Sequence, residues 1–165
     1  MPRHWKKRIR LFGMVMFVIY LLLLIYFLFF AEEYGRKSAT GELRYNLVPL
    51  REIQRFWKER ETLGWKAVVL NLLGNVAAFI PFGAILPVIA AKMRERLGFG
   101  RTVLNGFIFS LAVESMQLLT RVGSFDVDDL LLNTLGTALG YGLFAMARRM
   151  LAGHGRKTRK AESTV

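Results

Sequence analysis

From Leu11 to Ala31 the chain runs 21 residues without a charge. At 1.5 Å rise per residue, a helix of that length crosses the roughly 30 Å hydrocarbon layer of a bilayer. Within hydrocarbon each backbone N–H and C=O must find its partner inside the protein, which restricts a spanning segment to a helix unless strands close into a barrel. Lys6, Lys7, Arg8 and Arg10 precede the run, as in a signal peptide. The run is longer than a signal peptide's apolar region, however, and Ala31-Glu32-Glu33 is a poor cleavage site. The expectation is an uncleaved anchor over 11–31 behind a basic segment, 1–10.

Three more stretches repeat the pattern. Residues 67–91 are uncharged and contain Pro81 and Pro87; residues 102–120 hold one ionisable group, Glu114; residues 130–147 are glycine-rich and end at Arg148-Arg149. With 53% hydrophobic residues, the expected fold is all-α, a polytopic transmembrane helix bundle of four spans. Residues 67–147 form its three-helix core. Helix interruptions at the prolines are tolerated where neighbouring helices bond the freed carbonyls.

The formal charge of +12 does not make a nucleic-acid surface, because apolar blocks divide the 24 Lys and Arg. Their distribution instead sets topology. Residues 1–10, 92–101 and the tail hold 15 of them, against nine in 32–66 and at Arg121. Both termini are expected on the cytoplasmic side of the cell membrane, with 32–66 outside. In that outer loop Leu50, Ile53, Phe56 and Trp57 recur at helical spacing among Arg51, Glu52, Arg55 and Glu59. This predicts an amphipathic helix on the outer membrane surface between spans one and two, or one capping the bundle with the same face. The tail, 148–165, is expected to be basic and disordered.

Polar groups inside the spans carry the functional information, because hydrocarbon makes them costly. Gly106, Ser110, Glu114, Gln117 and Arg121 fall on one stripe of the third span, so Glu114 must face protein or trapped water. Gln117 is placed to bridge Glu114 and Arg121. The second span has Asn71, Gly74, Asn75 and Ala78 on a matching stripe, and the fourth has Asp129, Asn133, Gly136, Thr137 and Gly140. The last two overlay at an offset of 62 residues, which reads as common small-residue contact rather than common ancestry. The short turn between spans three and four hangs Arg121, Asp126, Asp128 and Asp129 just above these stripes. The candidate site is therefore an outward-facing polar pocket of Glu114, Gln117, Arg121, Asp126, Asp128, Asp129, Asn71, Asn75 and Asn133.

Each member also has a structural role open to it. Asp128 or Asp129 suits an N-cap of the fourth helix. The asparagines suit interhelical bonds, and Gly136-x-x-x-Gly140 suits a close helix contact. Carboxylates in such a pocket suit Mg²⁺ or Ca²⁺ beside a lipid diphosphate, and a buried Glu114 suits general acid–base work or proton relay. The run from Asp126 to Asp129 lacks EF-hand spacing. Cysteine is absent and the histidines, His4 and His154, are terminal, which removes thiolate and His-based sites. No cofactor or reaction is identified.

In order and spacing, Asn46-Leu-Val-Pro49, then Asn71-x-x-Gly74-Asn75-x-x-x-Phe79-x-Pro81-Phe82-Gly83, then Glu114-x-x-Gln117-x-x-x-Arg121 and Asp126-x-Asp128-Asp129-x-x-x-Asn133-x-x-Gly136-x-x-x-Gly140 resemble the VanZ-like membrane protein family. The resemblance covers about residues 44–147; Leu50 departs from it where the family often has an aromatic. It implies a multi-pass cell-envelope protein in a family named for glycopeptide resistance, chiefly to teicoplanin, and implies no mechanism. Three hypotheses follow. The first is binding of a lipid-linked cell-wall precursor or a lipoglycopeptide by the pocket. The second is a cation-dependent enzyme acting on a phosphorylated or glycosylated lipid. The third is a structural role in which the stripes assemble a bundle or an oligomer. Membrane lipid is the one partner common to all three.

Overall fold

The computed structural model describes residues 3–30, 44–92, 97–121 and 123–162. Among these the elements are α1 (Arg3–Phe30), β1 (Tyr45–Asn46), α2 (Arg51–Lys58), α3 (Arg60–Leu63), α4 (Trp65–Lys92), α5 (Phe99–Thr120), β2 (Phe125–Asp126) and α6 (Val127–Glu162). Three helices are long and apolar enough to cross a membrane: Val68–Ala90 within α4, Phe99–Thr120, and Val127–Met150 within α6. The apolar part described for α1, Leu11–Tyr26, is shorter. The helical membrane bundle expected from sequence is therefore present, with three spans meeting the length criterion rather than four. The part of the outer loop from 32 to 43 lies outside the described residues.

The bundle is organised on α4 and α6, which share its most extensive interface. Between helices in lipid there is no hydrophobic driving force, so close approach and dispersion hold the pair together. Gly136 and Gly140 of α6 lie against α4 so tightly that a Cβ on Gly136 would overlap the Val76 carbonyl oxygen. A Cβ on Gly140 would overlap the Ile80 carbonyl oxygen and stand 2.9 Å from the Ala84 nitrogen. Gly83 of α4 returns the contact against the Thr137 carbonyl. Gly74, also on the expected α4 stripe, meets nothing.

α5 packs on the other side of α6. There Thr137 occupies the space left by Gly106. An aromatic cluster fills the junction of α1, α4 and α5. Phe82 stacks on Phe109 with centroids 5.2 Å apart, the fully buried Phe79 lies 5.9 Å from Phe109, and Phe17 reaches Phe82 at 6.0 Å. Pro81 and Pro87 each remove one backbone donor from α4. The Tyr20 hydroxyl donates to the Ala78 carbonyl, one residue past the carbonyl of Ala77 that Pro81 leaves without its helical donor, at 2.5 Å, and so docks α1 on α4. Most other large apolar side chains of α1, α5 and α6 are exposed on the bundle surface, as lipid-facing positions must be.

Three differences from the sequence expectations have physical causes. α6 continues through Arg148 and Arg149 to Glu162, where a disordered tail was expected. Leu, Ala, Met, Arg and Lys are strong helix formers, and cations favour a helix C-terminus. The loop helix is split into α2 and α3, with Leu50 outside it at φ 66. Within it Ile53 and Phe56 are half-buried and Trp57 is exposed. Gly64, at φ 82, then turns the chain into α4. Finally, β1 pairs with β2 in parallel, Tyr45 opposite Phe125 and Asn46 opposite Asp126, so the described residues contain one two-residue ladder beside the helices.

Candidate functional site

The ladder marks the end of the bundle where the polar stripes meet, referred to below as the platform end. Deepest in the cluster, the Asn133 amide of α6 donates to the Ser110 hydroxyl of α5 at 2.9 Å. The Thr137 hydroxyl donates to the Asn133 carbonyl at 3.1 Å. Asn133 is fully buried, and its Oδ1 has no hydrogen-bond partner among the described residues. One turn closer to the platform end, Glu114 is 2% exposed and accepts the backbone N–H of Asp126 at 3.0 Å.

Asp126 then serves two elements at once. Its Oδ1 accepts the N–H of Asp128 at 2.8 Å, capping the first turn of α6, and also accepts the Asn46 amide at 3.0 Å. Asn46 folds its own loop, because its Oδ1 accepts the N–H of Val48 at 3.1 Å. Asp128 is 1% exposed and does not cap its own helix. Its carboxylate accepts the N–H groups of Leu50, of Glu52 at 2.8 Å and of Ile53 at 3.3 Å, the unpaired donors at the start of α2. The expected N-cap of the fourth helix by Asp128 or Asp129 is thus corrected: Asp126 caps α6, and Asp128 caps α2 from 76 residues away.

This arrangement answers the cost of burying carboxylates. Each accepts backbone or amide N–H groups, and a hydrogen bond to an ionised acceptor contributes about 1.5–3 kcal/mol. The positive ends of α2 and α6 add to it. The result is a clasp in which Glu114, Asp126, Asp128 and Asn46 tie the segment before α2 to the α5–α6 turn. Across the bundle, the Asn75 amide donates to Asp129 at 2.5 Å and ties α4 to α6 at the same level.

Of the nine candidate residues, the structure joins Glu114 with Asp126, Asp126 with Asp128, and Asn75 with Asp129. Gln117 is buried on the same α5 face, one turn beyond Glu114. Asn71 is half-buried and makes no hydrogen bond among the described residues. Arg121 departs from the stripe. α5 ends at Thr120, and Arg121 takes a left-handed conformation at φ 57 with its side chain exposed. The Glu114–Gln117–Arg121 bridge expected from helical spacing fails because the helix does not continue through Arg121, which makes no ion pair among the described residues. Sequence reasoning missed Asn46 and Ser110 as members of the site. Asn46 stood in a quoted motif and Ser110 on the buried stripe, so both signals were present in the sequence.

Among the described residues no group of three or more His, Cys, Asp or Glu side chains is disposed to hold a metal ion. The carboxylates are spread along the clasp, each turned to its own N–H donors. What the arrangement can do chemically is hold a polar surface at one end of an apolar bundle, with Asn71 and Asn133 Oδ1 lacking hydrogen-bond partners among the described residues.

Residues 17–148 match the protein family described as VanZ/LLP1. A curated relative, Protein VanZ of Enterococcus faecium, is 29% identical over 133 residues, covering 79% of this chain and 72% of that protein. No solved structure gives a significant match. The family match extends over most of the sequence and takes in α4, α5, the clasp and the membrane-spanning part of α6, and the chain therefore belongs to the VanZ/LLP1 family.

Proposed function

We propose that this chain is a four-span protein of the cell membrane that engages a lipid-linked or lipopeptide ligand at its platform end and thereby protects cells against teicoplanin. In this reading α1 is the fourth span, both termini are cytoplasmic and the platform faces outward, as the distribution of basic residues favours. The observation that carries the reading is the convergence of polar side chains at one end of the bundle, with the Asn71 amide and Asn133 Oδ1 lacking hydrogen-bond partners among the described residues. Asn71, Arg121 and the Asn75–Asp129 pair are the groups assigned to ligand contact. Glu114, Gln117, Asp126, Asp128 and Asn133 hold those groups in place. The family link to VanZ supports teicoplanin as the first compound to test.

The test is antibiotic susceptibility of cells expressing wild type, Glu114→Gln or Arg121→Gln, with membrane levels matched by immunoblot. Teicoplanin is set beside vancomycin because only teicoplanin carries an acyl chain able to enter a bilayer. Protection against teicoplanin that is lost in both variants at equal abundance is the expected result. Protection that survives both substitutions overturns the assignment.

A second reading is structural, favoured by the commitment of Asp126 and Asp128 to the protein's own backbone N–H groups. In that case Glu114→Gln lowers membrane abundance in proportion to any lost phenotype. The cation-dependent enzyme reading has less support, since a divalent ion needs several oxygen ligands and, among the described residues, no group of three or more His, Cys, Asp or Glu side chains is disposed to hold one.

A further inference from the structure

Apart from Arg121, which the first reading assigns to ligand contact, the exposed face of the platform is used by neither reading. Among the described residues it combines exposed apolar groups, Tyr45, Leu47, Val48, Leu50, Trp57 and Trp65, with an excess of cations. Arg55 is neutralised by Glu52 at 2.6 Å and Arg60 approaches Glu61 at 3.7 Å. Arg44, Arg51, Lys58, Lys66 and Arg121 are exposed and form no ion pair among the described residues, against the single further carboxylate Glu59 in the same region. The parallel ladder brings two separate stretches into this face: the Phe125 N–H donates to the Arg44 carbonyl at 3.1 Å, which sets Arg44 beside the turn that carries Arg121.

We propose that this face is a binding surface for anionic phospholipid, with the five cations on headgroup phosphates and the apolar side chains in the upper acyl region. Depth is fixed by continuity with α4. The membrane-spanning part of α4 begins at Val68, so Trp65 and Lys66 stand at its edge, at headgroup level. Trp57 packs against Trp65 edge to face at 5.7 Å, which puts α2 at the same level. Paired tryptophans at that depth match the amphipathic belt of membrane proteins, where one end of the ring is apolar and the other wet. Long Lys and Arg side chains lay their methylenes on apolar surface while the charge reaches phosphate. A soluble acidic partner would satisfy the cations but leave the apolar side chains between them uncovered. Anionic lipid satisfies both. The clasp gives the surface its shape, because Asp128 and Asp126 hold α2 and β1 on the bundle.

The test uses the full chain in lipid nanodiscs, in a Trp5→Phe background that leaves Trp57 and Trp65 as the only tryptophans. Their emission is quenched by brominated phosphatidylglycerol or by the same fraction of brominated phosphatidylcholine, in otherwise identical mixed bilayers. The anionic lipid is expected to be enriched about fivefold around the tryptophans, the preference one engaged cation confers. That excess should fall in Arg51→Gln/Lys58→Gln/Arg121→Gln, which keeps only Arg44 and Lys66 of the five, and should disappear at ~1 M salt, where the Debye length falls to about 3 Å. It should persist in Arg51→Lys/Arg121→Lys, which separates charge from folding. Equal quenching by the two lipids overturns the proposal and assigns the face to a protein partner. So does an excess that survives both charge removal and salt.

Discussion

Replacing Gly136 or Gly140 with alanine tests the α4–α6 contact, the most extensive interface of the bundle. An added Cβ at either position would overlap a backbone carbonyl oxygen of α4, and backbone cannot rotate away as a flexible side chain can. The helices must then part by on the order of an ångström. Overpacking of this kind costs about 1–3 kcal/mol. Loss of the close Cα–H···O=C approach adds ~0.5–1 kcal/mol per contact. Alanine recovers about 1 kcal/mol through its higher helix propensity. The net expectation is a loss of about 2 kcal/mol at each site, and less than twice that in the double variant because the two positions share one interface. Gly74→Ala and Gly142→Ala are the controls: nothing lies within 4 Å of a Cβ there, so only the propensity gain of up to about 1 kcal/mol applies. The assay is reversible unfolding in mixed micelles titrated with sodium dodecyl sulfate, followed by tryptophan emission. If Gly136→Ala and Gly140→Ala unfold at the same detergent fraction as the controls, the proposed close contact is wrong.

Two further substitutions probe other joints. Asp128→Ala removes the carboxylate that accepts three N–H groups at the start of α2, a loss of about 0.5–2 kcal/mol for a capping residue; trypsin should cut faster at Arg51, Arg55 and Lys58 in membranes while cleavage near α6 stays constant. Tyr20→Phe deletes the bond to the Ala78 carbonyl and keeps the ring, so the same detergent titration should show a loss of about 0.6 kcal/mol, with no change in susceptibility to trypsin at α2.

The spans and most of the buried stripes were legible in the sequence because a lipid environment leaves few solutions. Ser110, Glu114 and Gln117 on α5, and Asn133, Gly136, Thr137 and Gly140 on α6, are buried as helical periodicity requires. The α4 stripe was only half legible. Asn75 faces Asp129, but α6 rests on the carbonyls of Val76 and Ile80, and carbonyls leave no signature in side-chain pattern. Arg121 follows the end of α5 at Thr120, and the helical periodicity that aligned it with Glu114 and Gln117 does not carry past a helix end. Asp128 was misassigned for a different reason. Rules for N-caps are local, and here the helix that lacks a cap of its own takes one from across the fold. The ladder of Tyr45–Asn46 on Phe125–Asp126 is too short to carry any alternation, and the Asn46–Asp126 side-chain bond that reinforces it links residues 80 apart in sequence.

The central claim is that the acidic motif residues clasp the segment before α2 to the α5–α6 turn. The native chain has no cysteine, so a Tyr45→Cys/Phe125→Cys pair can be oxidised in membranes without background. Partners in a β-ladder lie within the Cα separation that a disulfide spans. With a protease site placed between the two cysteines, rapid cross-linking should keep the fragments joined on a non-reducing gel, and Asp126→Ala in the same chain should slow it. Absence of the cross-link in folded, membrane-inserted protein would contradict the clasp.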